Sequence, residues 1–243
     1  MHRFYAQGPA ENGVVRLEEE DARHASRVLR MKPGDIAEVF LDERRYQAEI
    51  LRMDAADVLL TLGEELPSTE ARLRVTLFQG LPKADKMELV LQKAVELGAE
   101  AVVPVAMSRC VVQLDAKDGR KKQERWQKIA REACKQSGRC RQTAVSEPVS
   151  FAQLVKALPG FDAAIVPWED ARNHSLSAFR REHEDVRSLA VVIGPEGGID
   201  PTEIDQLREA GCLPVTLGPR ILRTETAGLC ALSALFCLYG DME

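Results

Sequence analysis

The rhythm of apolar and polar positions changes about seventy residues into the chain. Before that point the apolar positions come in short runs at close spacing. Residues 3–6, 14–17, 36–41, 46–52 and 58–62 read as strands. Residues 18–30 interrupt them with a helical stretch. Its first turn is acidic and its last turn basic, as the helix dipole prefers. Met31-Lys32-Pro33-Gly34-Asp35 reads as a turn, and Asp42-Glu43-Arg44-Arg45 as a hairpin connection. Short strands this close together predict a small β-barrel over residues 1–70. Residues 64–71 are polar and contain Pro67, which predicts a linker.

Beyond the linker, strands alternate with helices. Strands are predicted at 73–78, 101–105, 161–167, 189–194 and 213–217, and helices at 83–97, 118–137, 200–211 and 228–238. In the first helix Met87, Val90, Leu91, Ala94 and Val95 share one face, and Gly98 ends it. In the second, Trp126, Ile129, Ala130, Ala133 and Cys134 form the buried stripe. The third opens with Asp200, Pro201 and Glu203, a capping-box-like start. The last is almost wholly apolar. Alternation of this kind predicts an α/β domain over residues 71–243, with a mostly parallel sheet covered on both faces.

Composition adds little to this picture, but charge does. The chain is 45% hydrophobic and 29% charged, as a soluble globular protein is. No run is long enough to span a bilayer, and the first residues lack the apolar stretch of a signal peptide. The six cysteines form no C-x-x-C pair and no His clusters with them, which argues against zinc. They are expected as reduced thiols of a cytoplasmic protein, with Cys134, Cys230 and Cys237 in the core. The net charge of -5 conceals an uneven distribution. Residues 1–71 carry -6, residues 72–145 carry +8 and residues 146–243 carry -7. A basic centre between acidic flanks suits either a localised polyanion contact or solvated helix faces.

Four segments are candidate sites. Residues 217–227 (LGPRILRTETA) place a Gly-Pro bend, two arginines and a glutamate between a predicted strand and an apolar helix. Loops at strand ends are where α/β proteins hold ligands, and core packing alone does not call for such charge. Gly194-Pro195-Glu196-Gly197-Gly198 also follows a strand and precedes a capped helix. Its glycines let backbone approach a nucleotide-like cofactor, or simply make a tight turn. It is neither a dinucleotide fingerprint nor a P-loop. On residues 131–139, Glu132, Gln136 and, if the last turn persists, Arg139 share a stripe that lines a site or faces solvent. Arg23, Arg27, Arg30 and Lys32 form a basic patch that binds phosphates or balances helix charge. His2, His174 and His183 form no triad with a serine or cysteine.

These segments together resemble the bacterial 16S ribosomal RNA uracil-N3 methyltransferases of the RsmE type, in the SPOUT superfamily. The resemblance is carried by HASRVLRMKPGD (24–35), QKAVELG (92–98), residues 131–139, GPEGG (194–198) and LGPRILRTETA. It covers almost the whole chain in order. It implies a PUA-like RNA-binding barrel before a C-terminal SPOUT α/β domain with a deep trefoil knot, a topology that general rules would exclude. It implies S-adenosylmethionine as cofactor and a homodimer with the site near the subunit interface. The substrate would be 16S rRNA within the 30S subunit, at the uracil-1498 type site of the decoding region. Gly194, Pro195, Glu196, Gly197, Gly198, Leu217, Gly218, Ile221 and Leu222 would enclose the cofactor, and Thr224 and Ala227 would complete the pocket.

Methylating N3 of uracil requires loss of a proton and stabilisation of the resulting anion. Arg139 or Arg223 is expected to stabilise charge on the uracil oxygens, and Glu132 or Glu225 to accept the proton. No metal is required. The alternatives are a non-catalytic RNA-binding or assembly factor, and a knotted methyltransferase acting on another RNA site. The intact 217–227 loop speaks against the first.

Overall fold

The computed structural model describes residues 1–54, 57–172 and 174–242. The chain forms two compact units, Met1–Glu70 with Cys134–Arg141, and Ala71–Ala133 with Gln142–Glu243. Residues 134–141, expected within the second domain, therefore group with the first.

The first unit is a closed barrel of β1 (Arg3–Glu11), β2 (Val14–Leu17), β3 (Ile36–Leu41), β4 (Arg44–Asp54) and β5 (Asp57–Leu66), in the order β1-β2-β5-β4-β3. Parallel pairing of β1 with β3 closes it. Phe4, Val15, Leu17, Val39, Ile50 and Leu60 fill the interior. Strand β1 runs five residues further than its apolar pattern suggests. Asn12 and Gly13 both have positive φ, so the chain turns tightly and Glu11 pairs with Val14. The β3–β4 turn is equally tight, with Asp42 and Glu43 at φ 49° and 60°. Strand β5 also corrects the linker. Glu64–Leu66 belongs to the barrel, because Tyr46 and Arg45 of the long β4 pair with Glu65 and Leu66. Between β2 and β3, α1 (Glu19–Arg23) passes into a π-helical turn, His24–Val28.

Residues 134–141 are fastened to this unit by buried polar contacts. Arg139 pairs with Glu70 at 2.7 Å, and Arg141 N donates to Glu70 Oε1 at 3.0 Å. Tyr5 Oη donates to the Arg139 carbonyl at 3.2 Å, and Lys135 pairs with the buried Asp21 at 2.6 Å. Gly138, at φ 82°, ends the helix before Arg139. Arg139 therefore leaves the stripe of Glu132 and Gln136, both of which are exposed.

The second unit is a parallel sheet in the order β12-β10-β11-β6-β7-β8, with β9 also on β7. Its strands are β6 (Arg74–Gly80), β7 (Ala101–Ala106), β8 (Ala144–Val145), β9 (Val149–Ser150), β10 (Ala163–Pro167), β11 (Ser188–Ile193) and β12 (Cys212–Val215). Helices α2 (Lys86–Leu97), α3 (Ala116–Ser137), α4 (Phe151–Ala157), α5 (Leu176–Glu182), α6 (Pro201–Glu209) and α7 (Thr224–Leu238) connect or cover them. The short α4 and α5 escape a periodicity reading and are set by their N-caps, Ser150 and Ser175. Helix α6 has the expected capping box of Asp200 and Glu203.

From mid-sheet β11 the chain runs through α6 to the edge strand β12. It then returns so that α7 packs on β6, β11, α2 and α5. Ala231, Leu232, Leu235 and Phe236 of α7 are buried, but Cys230 and Cys237 are exposed. They are not the core residues their apolar context suggested. Among the described residues no helix is long and apolar enough to cross a membrane.

The buried pair in the first unit gives a stability prediction. Replacing Glu70 by Ala removes the carboxylate that holds both Arg139 and Arg141 N, and is expected to cost about 3 kcal/mol. Chemical denaturation followed by a barrel-specific probe measures it; a loss near zero contradicts the assignment.

Candidate functional site

A cavity of about 450 Å³ opens at the carboxyl ends of β10, β11 and β12, the edge where open parallel sheets bind ligands. Its wall comes from three segments and one helix start. Pro167 ends β10 and Trp168 and Glu169 follow it, Ile193 ends β11 and Gly194, Pro195, Glu196, Gly198 and Ile199 follow it, and residues 216–223 follow β12. Thr224 and Ala227 belong to the first turn of α7. The charged segment read as one loop is thus divided. Arg223 is the N-cap residue, and Thr224, Glu225 and Thr226 are already helical.

The glycines of the 194–198 loop permit close approach. A Cβ on Gly194 would lie 2.6 Å from Ile199 Cγ1, and one on Gly80 would lie 2.7 Å from Pro195 N. Gly198 has φ 72°. Gly197 does not line the cavity. A Cβ there would meet Arg109 Cβ at 3.0 Å, and Arg109 Nη1 donates to the Gly197 carbonyl at 3.3 Å. Arg109 also pairs with Asp200 at 3.2 Å, so one arginine ties the loop to the α6 cap. The bend at 216–218 is held by its own side chain, with Gly218 N donating to Thr216 Oγ1 at 3.1 Å.

Four contacts join the loop after β11, the start of α7, the end of β6 and the start of α2. Thr224 Oγ1 donates to the Gly194 carbonyl at 2.6 Å, and Gln79 Nε2 donates to Thr224 Oγ1 at 2.8 Å. Lys86, at the start of α2, lies 3.1 Å from Glu196 and 3.2 Å from Glu225. Its two carboxylate partners raise its pKa. Burial pushes the Glu196 carboxyl up, but its own and the Lys83 backbone N–H and the Lys86 ammonium outweigh this and hold it low. Gln79, Lys86 and Arg109 carried no role in the sequence reading. The available signal was position, since Gln79 ends a strand at the ligand-binding edge and Lys86 follows it.

Of the other expected residues, Arg220, Ile221, Leu222 and Arg223 line the cavity with Leu217 and Gly218. Arg220 and Arg223 are exposed, and Ile221 is 84% exposed, so an apolar side chain stands in water at the rim. Glu225 is off the wall, turned to Lys86. Arg139 is buried against Glu70 in the first unit, which is a structural position. Glu132 is exposed on α3 and does not line the cavity. Glu169 lines it, although sequence reasoning gave it no role. In the barrel unit Arg23 pairs with Glu19, while Arg27, Arg30 and Lys32 are exposed around the π-helical turn.

The lowered pKa of Glu196 sets the sign of a pH effect. Its contribution to stability is present above the ordinary carboxylate pKa and is lost as pH falls through the lowered folded value. The melting temperature of the wild type should therefore fall more steeply than that of Glu196→Gln below about pH 4.5. Parallel curves would contradict the clamp.

Comparison with known proteins places these features. The model of the RNA methyltransferase domain matches residues 69–236, and that of the RNA methyltransferase PUA domain matches residues 17–62. The chain is 39% identical over 223 residues to the ribosomal RNA small subunit methyltransferase E of Bacillus subtilis, covering 89% of this chain and 87% of that one. A Neisseria gonorrhoeae ribosomal RNA small subunit methyltransferase E bound to S-adenosyl methionine superposes with a TM-score of 0.84 at 32% identity, covering 98% of each chain. A Legionella pneumophila methyltransferase in complex with the cofactor SAM gives 0.83 at 33% identity, over 97% of this chain and 96% of that one. With a methyltransferase sheet, a PUA-type barrel and relatives that match nearly end to end, the chain belongs to the ribosomal RNA small subunit methyltransferase E family.

Proposed function

We propose that this protein methylates N3 of one uridine in 16S ribosomal RNA, within the 30S subunit, using S-adenosylmethionine held in the cavity beside α7. The observation that carries this reading is the cavity itself, assembled from the loops after β10, β11 and β12. Its lining fits such a cofactor. The volume of about 450 Å³ lies in the range of small-molecule sites. Ile193, Leu217, Ile221 and Leu222 offer apolar surface, and the 194–198 and 217–222 backbone offers hydrogen-bonding edges. Gly197 shapes the loop from behind. When bound, the cofactor supplies an activated methyl group on a sulfonium, which is a good leaving group.

The protein's own residues then have to position uracil, draw off the N3 proton and hold the charge left behind. Arg223, exposed on the wall, is the charge-stabilising group. Glu225 is engaged by Lys86, so we reassign the proton acceptor to Glu169, the exposed carboxylate on the wall. Proton transfer runs directly or through water. Arg23, Arg27, Arg30 and Lys32, all exposed, give the barrel a phosphate-binding edge. The exposed stripe of α7 carries Thr226, Cys230 and Cys237, with Ser233 and Ala234 half-buried beside them. These small side chains suit close packing of a second copy, so we propose a homodimer. The return of the chain from β12 to α7 supports a C-terminal knot. We place the protein in the cytoplasm, with its substrate.

Two outcomes test this reading. In single-turnover methylation of 16S rRNA, Arg223→Ala should lower the rate by about 10²-fold or more while still binding cofactor. Glu169→Gln should lower it by about 10²-fold. Wild-type rates in both variants would remove the assignment. Replacing Arg27, Arg30 and Lys32 with Ala should weaken RNA binding and reduce the log-log salt slope by roughly 2 to 3. An unchanged slope would move the RNA contact elsewhere.

A further inference from the structure

Gln79 is fully buried at the end of β6 and does not line the cavity. Its Nε2 donates to the Gly80 carbonyl at 3.1 Å and to Thr224 Oγ1 at 2.8 Å. Thr224 Oγ1 donates in turn to the Gly194 carbonyl at 2.6 Å. The amide orientation follows from these partners. Turned over, it would set its oxygen against the Gly80 carbonyl oxygen, with no proton between them.

A hydroxyl has one proton to give. Gln79 occupies a lone pair of Thr224 Oγ1, which leaves that proton to Gly194. The direction of the chain is thus fixed from β6 through α7 to the loop after β11. The other end of Gln79 has no such use. Oε1 is buried without a hydrogen-bond partner among the described residues, beside Gly228, where a Cβ would lie 3.5 Å away. Burying an unpaired acceptor is unfavourable, and methionine would fill the same space without one. The donor end of the side chain is what explains a glutamine here.

We infer that Gln79 is a positioning residue of the cavity, acting through Thr224 to fix the first turn of α7 against the Gly194 carbonyl. That turn and its cap carry Arg223, Thr224 and Ala227 on the wall. Thr224 shapes the site by where it stands, since its hydroxyl proton is already engaged. The inference rests on the reading of the cavity as the S-adenosylmethionine site.

The test uses the full-length protein and the variants Gln79→Met, Thr224→Val, Thr224→Ser and the double variant Q79M/T224V. S-adenosylmethionine affinity is measured by calorimetry, steady-state kinetics on 16S rRNA give KM and kcat, and amide exchange at residues 226–229 is followed without cofactor. Q79M and T224V should each weaken cofactor binding about ten-fold, with KM for the cofactor rising more than kcat falls, and should speed exchange. T224S, which keeps the hydroxyl, should recover most of the affinity and exchange protection that T224V loses. The double variant should be no worse than the weaker single one, as for members of one chain. The inference is overturned if T224S is as impaired as T224V, if Q79M leaves affinity and exchange unchanged, or if the two losses multiply. Should the wild type fail to bind S-adenosylmethionine, the functional reading falls, and exchange alone decides on Gln79. Faster exchange in Q79M keeps its positioning role, and unchanged exchange removes it.

Discussion

Strand β11 ends at Ile193 in the middle of a parallel sheet, and the chain then turns sharply over the sheet's edge at Gly194. At such a turn a carbonyl leaves the regularity of the ladder and must find a donor nearby. It finds one in Thr224, contributed by a helix that begins thirty residues later, after the chain has gone out to edge strand β12 and come back. Much of the site depends on that return. Residues 216–223 lead from β12 back to Thr224, and all of them line the cavity.

The forces that hold the return and those that aim it are separate. Burial of Leu232, Leu235 and Phe236 anchors α7 on the sheet through apolar area, which is strong but non-directional. Hydrogen bonds and ion pairs then set the position of its first turn. Gln79 acts from the sheet side, and Lys86 acts from α2 by joining Glu225 of that turn to Glu196 of the neighbouring loop. Directional contacts at the mouth of a site, over an apolar anchor, are what a rigid cavity for a small charged ligand requires. Methyl transfer to a ring nitrogen asks chiefly for this positioning, because the donor already carries a good leaving group. In the first unit the Arg139–Glu70 pair has a comparable part, holding residues 134–141 to the barrel.

Much of the fold was legible in the chain. The shift from close-spaced strands to strand-helix alternation marks the barrel and the sheet, and the apolar face of Met87, Val90, Leu91, Ala94 and Val95 is the buried face of α2. What escaped was set by pairing or by distance. Glu64–Leu66 looks like linker because its side chains are polar, yet the backbone of β4 recruits it. Cys230 and Cys237 look like core because helix periodicity cannot distinguish a core from an exposed apolar stripe. The cavity wall was largely legible, because the charge of residues 217–227 between two apolar elements has no use in core packing. Gln79, Lys86 and Glu169 were not, because their meaning lies in partners or neighbours far along the sequence. Glu132, Arg139 and Glu225 are off the cavity wall, since charge near a motif does not say which way a side chain turns.

The central claim is that this cavity serves methylation of N3 of a uridine in 16S rRNA. Its most direct test is mass mapping of modified nucleosides in ribosomal RNA from a strain lacking the gene, before and after incubation of its 30S subunits with the purified protein and S-adenosylmethionine. The account predicts that one 3-methyluridine is missing from 16S rRNA and is restored at the same position by the wild-type protein. Restoration of a ribose 2′-O-methyl group, or a complete 16S modification pattern in the deletion strain, would contradict it.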